Sequence, residues 1–154
     1  MDSCNIFLPY NFTKQDQKAV DFVTRYFASR DNAAVVVFHA YTPLPNFDIA
    51  RATIMENMRN NLAYLAQQLK TLEAELNEVS ETLVAAGFGH ARVKTVFEPL
   101  SGDLDATIAK KARQAKSDLV VLSRRAGRIT EFFVGSTSTR ILAALRGTAV
   151  CIVS

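Results

Sequence analysis

The residues of this chain best suited to chemistry lie near its C-terminus. Gly135-Ser136-Thr137-Ser138-Thr139 heads an apolar-periodic stretch that continues through Ile141, Leu142 and Leu145. A glycine permits close backbone approach, and the hydroxyls, free N–H groups and positive dipole end of a first helical turn attract anions, phosphate being the usual occupant. The same hydroxyls also suit plain helix caps, so the segment alone does not separate the two roles. A basic loop with Arg124, Arg125 and Arg128 precedes it. No Ser-His-Asp set, paired carboxylates or phosphate-loop lysine motif competes as a catalytic centre. Cys4, Cys151, His39 and His90 are too few and too scattered for a metal site, and His39 reads as a hydrogen-bonded core residue.

Holding that segment in place requires strands before and after it. Asp118 to Ser123 is a nearly continuous apolar run, the signature of an interior strand of a parallel sheet, and Ala149 to Val153 is a terminal strand beyond Gly147. Earlier come a strand over Ile6 to Pro9, a helix capped by Thr13 with Ala19, Val20, Val23 and Phe27 inward and Phe22 and Tyr26 widening the stripe, and a strand over Ala33 to Ala40 ended by His39. Tyr41 to Asn46 is loop, because two prolines interrupt it. After Gly87-Phe88-Gly89, with His90 just preceding it, Ala91 to Phe97 alternates as a half-exposed edge strand. Ser101-Gly102-Asp103 opens a helix with Leu104, Ile108, Ala112 and Ala115 inward and Lys110, Lys111, Arg113 and Lys116 toward water.

Asp48 to Ala86 contains no proline or glycine and carries Met55, Met58, Leu62, Leu65, Leu69, Leu72, Leu76, Val79 and Leu83 at alternating steps of three and four. This is heptad spacing, compatible with a coiled-coil seam, but a crossover helix is needed at this point in any case, so packing across the chain's own sheet is expected. Such a helix would be ~58 Å long at ~1.5 Å per residue, so part of it should project or bend. The order βαβαβαβαβ demands an α/β fold with a parallel five-stranded sheet, right-handed crossovers and helices on both faces, in a single domain over 1–154. In such sheets ligands sit at the carboxyl ends of the strands where strand order reverses. With the first and fourth strands flanking that point, Pro9, Tyr10, Asn11 and Thr13 share a cleft with Val121, Leu122 and the segment through Ser138.

The net charge of +3 is uneven. From Ala106 onward nine Lys and Arg face two acids, yet they are scattered, without interleaved aromatics or a nucleic-acid motif, so no nucleic-acid partner is expected. Two distant cysteines, no signal-peptide pattern and no long apolar run lead to the expectation of a reduced, cytoplasmic protein without a membrane span. The apolar last strand has nothing after it to cover its edge, which predicts a homodimer through Ala149 to Val153.

Over essentially its whole length the chain resembles the universal stress protein family. Ile6-Phe7-Leu8-Pro9-Tyr10-Asn11-Phe12-Thr13 looks like that family's opening strand and "PVDFS" turn, and Val37-Phe38-His39-Ala40 like its "LLHV" strand. Asp118 to Ser123, Gly135-Ser136 and Val150-Cys151-Ile152-Val153 complete the likeness. The resemblance implies strand order 3-2-1-4-5, a homodimer and, in one branch, ATP in the cleft. That branch carries G-x2-G-x9-G-(S/T) and an aspartate in the first turn. Counting back from Gly135, Leu122 and Arg125 fill the two earlier glycine positions and Asn11 the aspartate position, while Gly127 lies two residues off register. Gly135, Ser136, Thr137 and Ser138 retain the phosphate end, and Ala40 matches a position whose backbone meets adenine. The resemblance therefore implies a non-enzymatic stress-response protein with ATP binding weak or lost. The alternative is a protein that binds a nucleotide or another phosphorylated ligand, with arginines replacing the missing glycine contacts and slow hydrolysis left open.

Overall fold

The computed structural model describes residues 2–45, 52–124 and 136–154, with backbone only at 52–55, 136 and 137. The element order is β1 (Cys4–Pro9), α1 (Lys14–Phe27), β2 (Ala33–Tyr41), α2 (Ala52–Ala85), β3 (Val93–Pro99), α3 (Leu104–Gln114), β4 (Leu119–Ser123), α4 (Ser136–Ala144) and β5 (Ala149–Val153). All strands are parallel in the order β3-β2-β1-β4-β5, with Ile6 opposite both Val35 and Leu119, and Leu122 opposite Ile152. The α/β fold and the 3-2-1-4-5 order expected from the sequence are those observed.

Strand alternation divides the core. Ile6, Leu8, Val35, Val37 and Val121 face α1 and α2, meeting Val20, Val23, Leu76 and Leu83. Phe7, Phe38, Val120 and Leu122 face the opposite way, toward Ile108 and Ala112 of α3 and Ile141 and Leu145 of α4. Burying apolar side chains on both faces removes them from water at ~25 cal/mol per Å², and this is why the interior strands read as unbroken apolar runs.

Thr13 caps α1 with a capping box: its hydroxyl accepts the Asp16 N–H while Asp16 reaches back to the Thr13 N–H. Asp103 caps α3 through the N–H groups of Asp105 and Ala106. His90–Arg92 forms a single 3-10 turn before β3. Three details differ from expectation. β2 runs two residues past His39, because Tyr41 still pairs with Pro99. Tyr26 is 54% exposed and does not widen the buried stripe of α1. Lys111 is half-buried rather than solvated, because Glu98 takes its ammonium at 2.8 Å.

Helix α2 has two unlike halves. Leu76 and Leu83 are fully buried and Val79 nearly so, all in the core under α1, β2 and β3. Toward the N-terminus Met58, Leu62, Leu69 and Leu72 are only half-buried, and Leu65 is 37% exposed. At 34 residues the helix is ~51 Å long, and its inner turns suffice to cross the sheet. The helix thus packs within the protomer through its C-terminal half and projects through the other, as its length requires. Among the described residues no helix is long and apolar enough to cross a membrane.

Candidate functional site

Strand order reverses between β1 and β4, so the crevice of this sheet opens at Pro9 and Ser123. The chain leaves β1 through Tyr10, Asn11 and Phe12 into the cap of α1. Phe12 has φ +59°, a left-handed conformation uncommon for a non-glycine residue. Its ring lies edge-on to Tyr10 and to His39, with centroids 5.2 and 4.8 Å away, and His39 in turn stacks on Phe97 at 5.6 Å. The turn is held to β2 by the Tyr10 N–H on the Phe38 carbonyl and by His39 Nδ1 against the Tyr10 carbonyl, each 2.8 Å. A carbonyl only accepts, so Nδ1 carries the proton of a neutral imidazole. Burial pulls the His39 pKa below its usual value, against weaker opposite effects of the Tyr10 carbonyl and Asp16.

Asp16 is the centre of this turn. Its side chain is 5% exposed and accepts from the Asn11 N–H at 3.0 Å, the Thr13 N–H at 3.1 Å and the Thr13 hydroxyl at 2.8 Å. Its other oxygen takes the Ser123 hydroxyl of β4 at 2.5 Å. The carboxylate therefore bridges the mouth of the crevice and collects donors from both sides. Neither Asp16 nor Ser123 stood out as a site residue in the sequence. The signal available was Thr13-x-x-Asp16, the spacing of a capping box, which fixes a helix start but says nothing about a serine 107 residues away.

The sequence candidates fall into three groups. Pro9, Tyr10, Asn11, Thr13, Ala40 and Arg124 lie around the carboxyl ends of β1, β2 and β4, with Asn11, Thr13 and Arg124 exposed. The Arg124 N–H closes on the Val153 carbonyl at 2.8 Å. Val121 and Leu122 point to opposite faces of the sheet, each buried in one of the two cores. The bulk of Leu122 is thus taken up by packing against α3 and α4, and the polar group that β4 offers to the crevice is Ser123, one residue further. Ser138 is buried in the first turn of α4. The side chains of Ser136 and Thr137, and the whole of Arg125, Gly127, Arg128 and Gly135, lie outside the described residues.

The basic excess of the C-terminal third is partly internal. Besides Lys111, Arg140 approaches Asp103 and Asp105 at 3.4 and 3.7 Å, and Arg113 donates to the Ala144 carbonyl at the end of α4 at 2.9 Å. A cavity of about 360 Å³ lies on the other side of the turn, between α1 and α2. Tyr10, Phe12, Val20 and Val79 line it together with Glu75 and Glu78. Burial raises the Tyr10 pKa, and Asp16, Glu75 and Asp21 add to the effect, so the phenol stays protonated in a negative field that repels anions. Among the described residues no cluster of His, Cys, Asp or Glu is arranged to hold a metal.

The profile of the universal stress protein family matches residues 4–147. Several solved structures share the fold. The universal stress protein UspA of Lactobacillus plantarum superposes with TM-score 0.67 at 16% identity, covering 100% of this chain and 99% of its own. A universal stress protein in complex with cAMP gives 0.65 at 19% identity, covering 100% and 98%. One from Archaeoglobus fulgidus in complex with dAMP gives 0.58 at 12% identity, covering 100% of both chains. Among curated protein sequences none matches. At these identities the likeness to solved structures establishes the fold alone.

Proposed function

The chain belongs to the universal stress protein family, and from that premise we propose that it acts as a non-enzymatic, homodimeric stress-response protein of the cytoplasm whose crevice binds ATP weakly or not at all. The observation that carries this reading is Asp16. An anion entering between β1 and β4 needs N–H and O–H donors, and here the Asn11 N–H, the Thr13 N–H and hydroxyl and the Ser123 hydroxyl are already given to a buried carboxylate. A second negative group at that place meets repulsion in place of donors. Asn11 in the turn adds an exposed amide without charge. Supporting the absence of catalysis, the described crevice holds no nucleophile paired with a base: the Ser123 hydroxyl donates to a carboxylate locked in four hydrogen bonds, and His39 is turned to a backbone carbonyl.

Titration calorimetry with ATP at low salt tests the reading, with a dissociation constant of about 1 mM or weaker expected. A low-micromolar constant would overturn it in favour of a nucleotide-binding protein. That second reading draws on the two universal stress proteins solved in complex with cAMP and dAMP and on Ser138 in the first turn of α4. There Arg124, Arg125 or Arg128 would replace contacts that glycine backbone makes in other members. A thermal-shift panel that includes AMP-type nucleotides as well as ATP separates the two.

A further inference from the structure

The outer half of α2 bears an apolar stripe that its own protomer covers only in part, with Leu62, Leu69 and Leu72 half-buried and Leu65 exposed. Leu62, Leu65, Leu69 and Leu72 keep the three-four spacing of a coiled-coil seam, while the buried leucines of the same helix begin only at Leu76. A solvated crossover helix needs no such seam, since its exposed turns gain nothing from leucine. Charge on the flanks indicates what covers it. Glu73, Glu75, Glu78 and Glu81 crowd the body-proximal turns, whereas the outer turns carry Arg59 and Lys70 against Glu56 alone.

We infer that α2 is an interaction surface for a second copy of itself, packed antiparallel about a two-fold axis that passes close to Ala66 and Gln68. Setting Leu62 against the partner's Leu72, and Leu65 against the partner's Leu69, produces four layers of leucine over ~15 Å of helix. In that register Arg59, which is exposed, meets the partner's Glu73, also exposed, and the pair recurs by symmetry. Ala66 faces its own copy, so the helices approach closely on that side. Parallel pairing in register offers no opposite-charge pair on the flanks: it sets Gln68 beside the partner's Glu73 and Asn61 beside the partner's Ala66. It would also place the glutamate-rich turns of both copies side by side. The charges therefore select the antiparallel arrangement. This surface is independent of the β5 edge and of any nucleotide.

Single cysteines in the full chain test the geometry. Ala66→Cys, on the axis, should be trapped as a covalent dimer by oxidised glutathione at least tenfold faster than Tyr64→Cys on the exposed flank. Cys4 and Cys151 are common to both and set the background. Arg59→Glu and Glu73→Arg should each weaken association seen in sedimentation roughly tenfold, the scale of two exposed ion pairs turned repulsive, and the double variant should restore it. Both positions are exposed, so neither variant threatens the fold. Equal trapping of the two cysteine variants, failure of the double variant to restore association, or association unchanged by Leu69→Glu would each overturn the inference. Pairing through β5 alone gives all three of those results, so the two interfaces cannot be mistaken for one another.

Discussion

Asp16 occupies the place that an anion would need, and this makes its charge the most informative one in the molecule to remove. Asp16→Asn keeps an acceptor for part of the network but loses the charge-assisted bonds, and should cost about 1–3 kcal/mol in urea unfolding. Inorganic phosphate should then raise the melting temperature of the variant more than that of the wild type, because donors are released to it. Equal phosphate effects would show that the crevice is closed to anions for another reason. His39 supplies a pH signature. Its pKa is depressed in the fold by burial, so the unfolded chain binds a proton more readily. The contribution is fully present above the unfolded value of about 6.5 and is lost as pH falls from there through the lower folded value. Urea midpoints should decline between about pH 7 and pH 5, and His39→Gln should flatten that slope. An unchanged slope in the variant would assign the decline to other groups.

At the scale of elements, the two halves of α2 offer a contrast within one helix. Leu76→Ala, in a fully buried position, should cost about 2–4 kcal/mol. Leu65→Ala, measured in dilute solution, should cost under about 0.5 kcal/mol. Similar losses at the two sites would mean that the outer turns fold onto the body. Where α2 ends, Gly87 has φ +127°, and a Cβ there would stand 3.1 Å from the Ala28 carbonyl oxygen. Gly87→Ala should therefore destabilise by about 1–3 kcal/mol in the same assay. These elements were largely legible in the sequence, because buried parallel strands and capped helices impose patterns that a few residues reveal. The limit of the body along α2 was not, since the leucine period runs unbroken from Leu62 to Leu83 and only the breadth of the sheet stops the packing. The crevice was legible in its position but not in its contents. Asp16 and Ser123 meet through the topology, and no local pattern links residues so far apart.

At the scale of the molecule the two sheet edges are unlike. β3 carries Lys94 and Glu98 and has α2 beside it, whereas β5 reads Ala149-Val150-Cys151-Ile152-Val153, with Ile152 39% exposed and no charge. The Ala149 N–H and the Val153 carbonyl both bond toward β4, so the alternation of the strand turns the N–H groups of Val150 and Ile152 to the open edge. Ile152→Pro thus removes an outward donor without touching the β4–β5 ladder. It should dissociate a β5-paired dimer in sedimentation at about 10 µM, close to the affinity at which modest interfaces assemble. A wild type that sediments as a monomer at that concentration would remove the homodimer from the proposal. The projecting half of α2 carries its own consequence for motion. Turns packed on the body only in part can open without it, so their amide hydrogens should exchange with solvent water far sooner than those from Leu76 onward, which wait for global unfolding. A gain in protection that is confined to the outer turns and rises with protein concentration would then record each encounter of two helices as a slowed isotope clock.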